Sequence, residues 1–238
     1  MKNHLKLLFL LLVFVSSCSS SEDFLLDSLT QTQIHGISYL DLQIGVSTIE
    51  DVTRVMNSSP DLDGEFIPNP LISSDTARES ISVVSYRYNL KPEINYDIEF
   101  YFNDNNQLTE IEISLLKYLT VDEFFQKFGE PSYVLFRVHK RHSQSTCALT
   151  LYYDEIQTIV AFGIRGDANQ QRCMISPSNE PHTILFLTYY DYAQRYKGQL
   201  SKWEIDGKPE DFIHPWKGYG NLFNLYPQYP VLEFYAYD

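Results

Sequence analysis

LQIGVSTIEDVTRVM at residues 42–56 and LTVDEFFQKFGEP at residues 119–131 are two settings of one pattern, and the fold class follows from them. Each contains a threonine followed three residues later by an acid, Thr48 with Asp51 and Thr120 with Glu123. That spacing predicts a capping box: the hydroxyl accepts from an early backbone N–H, and the carboxylate reaches back to the cap. Ile49, Val52 and Met56 correspond to Val121, Phe124 and Phe128, one apolar stripe at helical spacing. Gly129 and Pro131 predict a stop after the second helix. Asn57 stands where the glycine would be in the first, and Asn tolerates a left-handed backbone better than most residues.

Strand-like runs follow each predicted helix: 83–88, 94–102 and 107–114 after the first, 132–138, 146–153 and 157–164 after the second. Tyr96, Ile98, Phe100 and Phe102 alternate with Asp97, Glu99 and Tyr101, so one face is largely apolar. Asn103 to Asn106 is turn chemistry. It is not a calcium loop, because the twelfth position holds Ser114 or Leu115 where a glutamate is required. A short polar turn at Asp154 and Glu155 separates the last two runs. The expected fold class is α+β: two helix-plus-antiparallel-meander repeats sharing a core, because one such unit leaves a sheet face uncovered.

Outward from these repeats, the chain divides into a leader over 1–17, a tether over 18–36, a first unit over 37–113, a second over 114–164, and an extension over 165–238. The extension begins with a polar loop over 165–181. A strand is expected over 183–188 and a short helix over 189–196. Beyond them Trp203, Pro209, Pro215, Trp216, Gly218, Gly220, Pro227 and Pro230 show no regular period. An irregular aromatic extension packed on the repeats is expected, because a Pro- and Gly-rich tail stays ordered only by burying its aromatics. Trp216, Tyr219 and Tyr226 are its candidate binding surface.

The helix-and-strand pattern resembles the small outer-membrane-assembly lipoproteins of the SmpA/OmlA (BamE) type. It is also similar to the tandem repeats of β-lactamase inhibitory protein. The resemblance implies helices packed on an antiparallel sheet and no catalytic residues. The assembly lipoproteins are single-unit proteins, whereas this chain has two units and a long extension.

Lys2 and Lys6 precede an apolar run over 7–15, and Val15, Ser16 and Ser17 lead to Cys18. Those are the parts of a secretory signal. The run is shorter than the roughly 20 residues a membrane span needs. Its end resembles the lipobox of bacterial lipoproteins, which implies lipid attachment at Cys18 and a membrane-anchored, extracytoplasmic place in the cell envelope. Two or more acyl chains hold a protein stably on a bilayer, at about 0.8 kcal/mol per buried methylene.

The 31 acids outnumber the 18 Lys and Arg, for a net charge of −13, and loss of the leader with Lys2 and Lys6 makes it more negative. Nucleic acid and anionic headgroups are disfavoured as partners. The expected partners are the membrane, through the lipid, and another envelope protein; a glycan held by C-terminal aromatics is the alternative. Tyr and Phe, 18 and 15 in number, are expected mostly in a strand-rich core. Cys147 and Cys173 form an even pair once Cys18 carries lipid, and outside the cytoplasm such a pair is most simply a disulfide.

There is no GxSxG, P-loop, GxGxxG or HExxH motif. His139 and His142 lie in HKRH among cations, which reads as a solvated loop before a metal pair. It is the one strongly basic spot, suited to an acidic partner. His35, His182 and His214 are isolated. The expectation is a non-enzyme without metal or cofactor beyond the covalent lipid.

Overall fold

The structure, a computed structural model, describes residues 29–31, 37–58, 66–69, 84–88, 96–115, 119–141, 144–164, 166–187 and 211–234. The leader, Cys18, most of the tether, residues 189–196, Trp203, Pro209 and His142 lie outside the described residues.

Both capping boxes form. Thr48 N donates to Asp51 Oδ2 at 3.1 Å and Asp51 N to Thr48 Oγ1 at 3.3 Å, opening helix α1 (Ile49–Ser58). Thr120 N donates to Glu123 Oε2 at 2.8 Å and Glu123 N to Thr120 Oγ1 at 3.3 Å, opening helix α2 (Val121–Phe128). The stripes point inward: Val52 and Met56 are buried on α1, Val121 and Phe124 on α2. Gly129 ends α2 at φ 81°, ψ −175°, a backbone open to glycine and little else, with its N–H on Phe125 O. Asn57 does not take the glycine's part. It is helical, and α1 runs on to Ser58, whose hydroxyl donates to Val55 O at 3.1 Å.

The sheet dominates. Strands β1 (Leu29–Gln31), β2 (Ile37–Tyr39) and β3 (Leu42–Gln43) make a small antiparallel sheet. Leu29, expected in the tether, is instead fully buried in the main core, and β1 pairs with β2. The larger, ten-stranded sheet begins with β4 (Phe66–Asn69), β5 (Val84–Tyr88), β6 (Tyr96–Phe102) and β7 (Leu108–Leu115). It continues with β8 (Tyr133–Arg141), β9 (Gln144–Tyr153) and β10 (Thr158–Ile164). Pro68 lies in β4, at the sheet's edge, where a missing N–H does not interrupt a ladder. Between β6 and β7, Asn103 Oδ1 accepts from Asn105 N and Gln107 N, both at 3.0 Å, and Asn106 sits at φ 59°, as turn chemistry requires.

The extension is more regular than its composition indicates. The segment expected as a polar loop forms β11 (Gly166–Asp167), a 3₁₀ turn (Ala168–Gln170) and β12 (Arg172–Ile175). Strand β13 (Thr183–Leu187) enters the middle of the large sheet, antiparallel to both β10 and β7. Strand β14 (Ile213–His214) pairs antiparallel with the start of β8 and β16 (Val231–Phe234) parallel with its end. Between them, β15 (Gly220–Asn221) pairs β12 and leads into the one-turn helix α3 (Leu222–Leu225). Backbone pairing, beside aromatic burial, therefore holds the tail.

One face of the large sheet carries the main core. Ile98, Phe100, Ile111, Ile113, Phe136, Leu149, Phe162 and Phe186 pack there with Val52, Met56, Phe124, Phe223 and Tyr226. The opposite face holds a smaller cluster of Leu135, Tyr152, Ile159, Leu185, Leu187 and Ile213. His139 and Lys140, expected in a solvated loop, lie in β8 between β9 and β16, because the period-two run from Tyr133 continues through them. Among the described residues no helix is long and apolar enough to cross a membrane.

Candidate functional site

On α2, Val121 and Phe124 turn inward, and Phe125, one position off that stripe, is left half-buried on the flank. Two residues of the tail meet it. Trp216 packs edge-on against Phe125 with ring centroids 5.2 Å apart at 89°, and Tyr219 stacks on it at 6.2 Å and 25°. Trp216 and Tyr219 contact each other edge-to-face at 5.6 Å. Tilted and edge-on contacts are the favoured geometries for aromatic rings, so the three hold one another in place. Gly218, at φ 85°, makes the turn that brings residues 216 and 219 to the same side. Tyr219 is 38% exposed and Trp216 half-buried, so the wall is partly open to solvent.

Tyr226 is not part of that wall. It is fully buried, and a buried ring cannot meet an incoming ligand. Its hydroxyl accepts from Lys217 N at 2.9 Å, and Lys217 Nζ donates to Leu225 O at 2.8 Å and lies 5.5 Å from the Tyr226 ring centre. His214 stacks on the same ring at 5.8 Å and 17°. Tyr226 thus holds the backbone at Lys217, next in sequence to Trp216.

Acids rim the wall. Asp122, in the first turn of α2, hydrogen-bonds the Tyr219 phenol. Burial pushes the Tyr219 pKa up, and the charge and hydrogen bond of Asp122, with the charge of Glu130, push it the same way. Behind it Tyr153 is buried with a hydroxyl that has no partner. Burial raises its pKa, reinforced by Tyr219 and Glu130. The site can therefore offer an aromatic surface, carboxylate acceptors and, in Tyr219, a neutral phenol at any physiological pH. Among the described residues no three His, Cys, Asp or Glu side chains are gathered as metal ligands.

The sequence pointed to Trp216 and Tyr219, and the structure brings them together. Phe125, Asp122 and Tyr153 were not singled out. The available signal was Phe125 itself, an apolar residue off the buried stripe of its own helix. Cys147 on β9 and Cys173 on β12 stand with Cα atoms 6.3 Å apart, compatible with the expected bridge.

Comparison with known proteins returns no matching family model and no matching curated protein. Among solved structures, the chain is similar to a DUF4309 family protein, YjgB, from Bacillus subtilis. The TM-score is 0.32 at 12% identity, covering 70% of this chain and 92% of that one.

Proposed function

We propose that this chain is a non-catalytic lipoprotein of the bacterial cell envelope. It is anchored through lipid on Cys18, built on two helix-and-meander repeats closed by the Cys147–Cys173 disulfide, and it binds another envelope protein. The observation that carries the binding role is the Phe125–Trp216–Tyr219 wall, three mutually packed rings left partly open on an acidic chain. Aromatic anchors that are already rigid bind at low entropic cost, and Trp and Tyr are enriched among the residues that dominate interface energies.

A photo-crosslinking residue at position 219, in the full lipidated chain in its own membrane, tests the reading. A discrete protein adduct that Trp216→Ala abolishes while circular dichroism stays unchanged is the expected result. Crosslinks no different from those at exposed Met174 overturn it. Cys18→Ser should release the chain from the membrane fraction and end labelling by palmitate.

A second reading is favoured by the Asp122 and Glu130 rim: aromatic faces beside carboxylate acceptors suit the apolar face and hydroxyls of a sugar. Binding on a glycan array that Tyr219→Ala removes would select it over a protein partner.

A further inference from the structure

The open surface of the aromatic wall has a sign. Tyr219 keeps 38% of its surface exposed although Phe125 and Trp216 both pack on it. Aromatic faces carry the negative end of a quadrupole and attract cations within about 6 Å of the ring centre. At the hydroxyl end of the Tyr219 ring the groups at hand are acceptors. The phenol donates its proton to Asp122, and the charges of Asp122 and Glu130 both act on it. Asp122 Oδ2 also accepts from Gln126 Nε2 at 2.8 Å, a second neutral donor.

Among the described residues no cation offsets these charges. The ion pair there is Arg54 with Asp51 on α1, and neither Asp122 nor Glu130 has one. The two lysines nearest in sequence are turned elsewhere. Lys217, next to Trp216, places Nζ on Leu225 O at 2.8 Å, and Lys127 on α2 lies 5.8 Å from the Phe128 ring centre. An exposed ring and two carboxylates therefore meet at one residue, Tyr219, on a chain whose net charge of −13 extends the same field.

On the reading that the wall is the docking surface, we propose that it receives an arginine side chain of the partner, the guanidinium over the Tyr219 ring and its N–H groups toward Asp122 and Glu130. A guanidinium is planar, so in one pose it stacks on a ring and directs donors at carboxylates on the ring's rim. A lysine ammonium is a compact, strongly hydrated point charge and does both less well. Charge-assisted hydrogen bonds from a guanidinium to carboxylates are the strong kind. Arg, Trp and Tyr are also the residue types that dominate interface energies.

The test is a titration of the full chain in detergent micelles with Nα-acetyl-arginine amide at constant ionic strength, read on the Trp216 indole N–H by NMR. The sequence has two tryptophans, and Trp203→Phe assigns their signals. A saturable shift is expected. Nα-acetyl-lysine amide should saturate only at severalfold higher concentration, and uncharged Nα-acetyl-citrulline amide not at all. Asp122→Asn and Glu130→Gln should each weaken binding about threefold, the size of a solvent-exposed ion pair. Tyr219→Leu should abolish saturation while circular dichroism stays unchanged. Equal responses to arginine and citrulline, or a titration that both acid variants leave unchanged, overturn the arginine site. Saturation by lysine at the same concentration overturns the choice of a guanidinium. A protein adduct at position 219 without any arginine response overturns the arginine site alone and leaves the docking surface standing.

Discussion

Helices α1 and α2 begin with the same device and are moored differently. In both, a threonine and an acid three residues on satisfy each other's backbone groups. Around α1 the mooring is a strand beginning in its own half of the chain: Leu108 N donates to Ser47 O at 2.8 Å, Gly45 N to Leu108 O at 2.6 Å, and Thr48 bridges Gln107. Around α2 it comes from the extension. Val121 N donates to Asn179 O at 2.8 Å and Asp122 N to Pro177 O at 3.1 Å, two carbonyls in the turn that follows β12. Free N–H groups at a helix start need such partners. The turn is itself fixed by Asn179 Oδ1, which accepts from Ser176 N at 2.6 Å, and its strand carries Cys173. One local code therefore yields two helices, and only the second depends on a distant segment tied down by the cysteine pair.

The largest effect that sharpens this contrast is on the bridge. Cys147 and Cys173 are 26 residues apart, and closing a loop of that length stabilises by about 3.5 kcal/mol in the chain-entropy model. Reduction, or Cys173→Ser, should lower the unfolding free energy by about that amount. Hydrogen exchange under the same conditions should quicken in residues 121–128 well before 49–58. Equal loss of protection in both helices would break the contrast.

Next come the caps and stops. Thr48→Ala and Thr120→Ala should each cost about 1 kcal/mol in denaturant melts, because the boxes are alike. Gly129→Ala should cost about 1 kcal/mol through its positive φ. Asn57→Ala, at a helical position, should stabilise by a few tenths of a kcal/mol. A cost at Asn57 matching that at Gly129 would restore the symmetry the structure denies.

The smallest effect is acid-dependent. The Arg54 hydrogen bond, then the Thr48 N–H and hydroxyl, hold the Asp51 carboxyl below the usual aspartate range. A folded pKa lowered in this way adds stability above the unfolded value and loses it as pH falls through the folded one. Helix α1 should therefore fray below the ordinary aspartate pKa of about 3.9, and Asp51→Asn should remove that dependence in helix circular dichroism. An unchanged acid profile in the variant would place the sensitivity elsewhere.

The helices, their caps and the alternating strands were legible because each is set by residues within a few positions of one another. Thr48, Asp51, Thr120, Glu123 and Gly129 act through bonds of the local backbone. Ile98, Phe100 and Phe102 declare a face by their period alone. Asn57 was misread because Asn permits a left-handed turn without requiring one, and the helix runs on through it to Ser58. Leu29 was misread because a buried leucine in a polar stretch has no periodic neighbours.

The sequence by itself determined the two capped helices and the strands that alternate around them, the acid surplus, the likeness of residues 1–18 to a lipoprotein signal, and the identity of the aromatics available for a site. Only the tertiary structure decided that β13 enters between β10 and β7, that β14 and β16 share the edge of β8, and that Trp216 and Tyr219 close on Phe125 while Tyr226 is buried in the core. The physical reason is one of range: a hydrogen-bonded cap or a pleated face is fixed within a few residues, whereas strand neighbours and ring contacts join distant segments. Their pairing depends on which surfaces remain to be buried once the local elements exist.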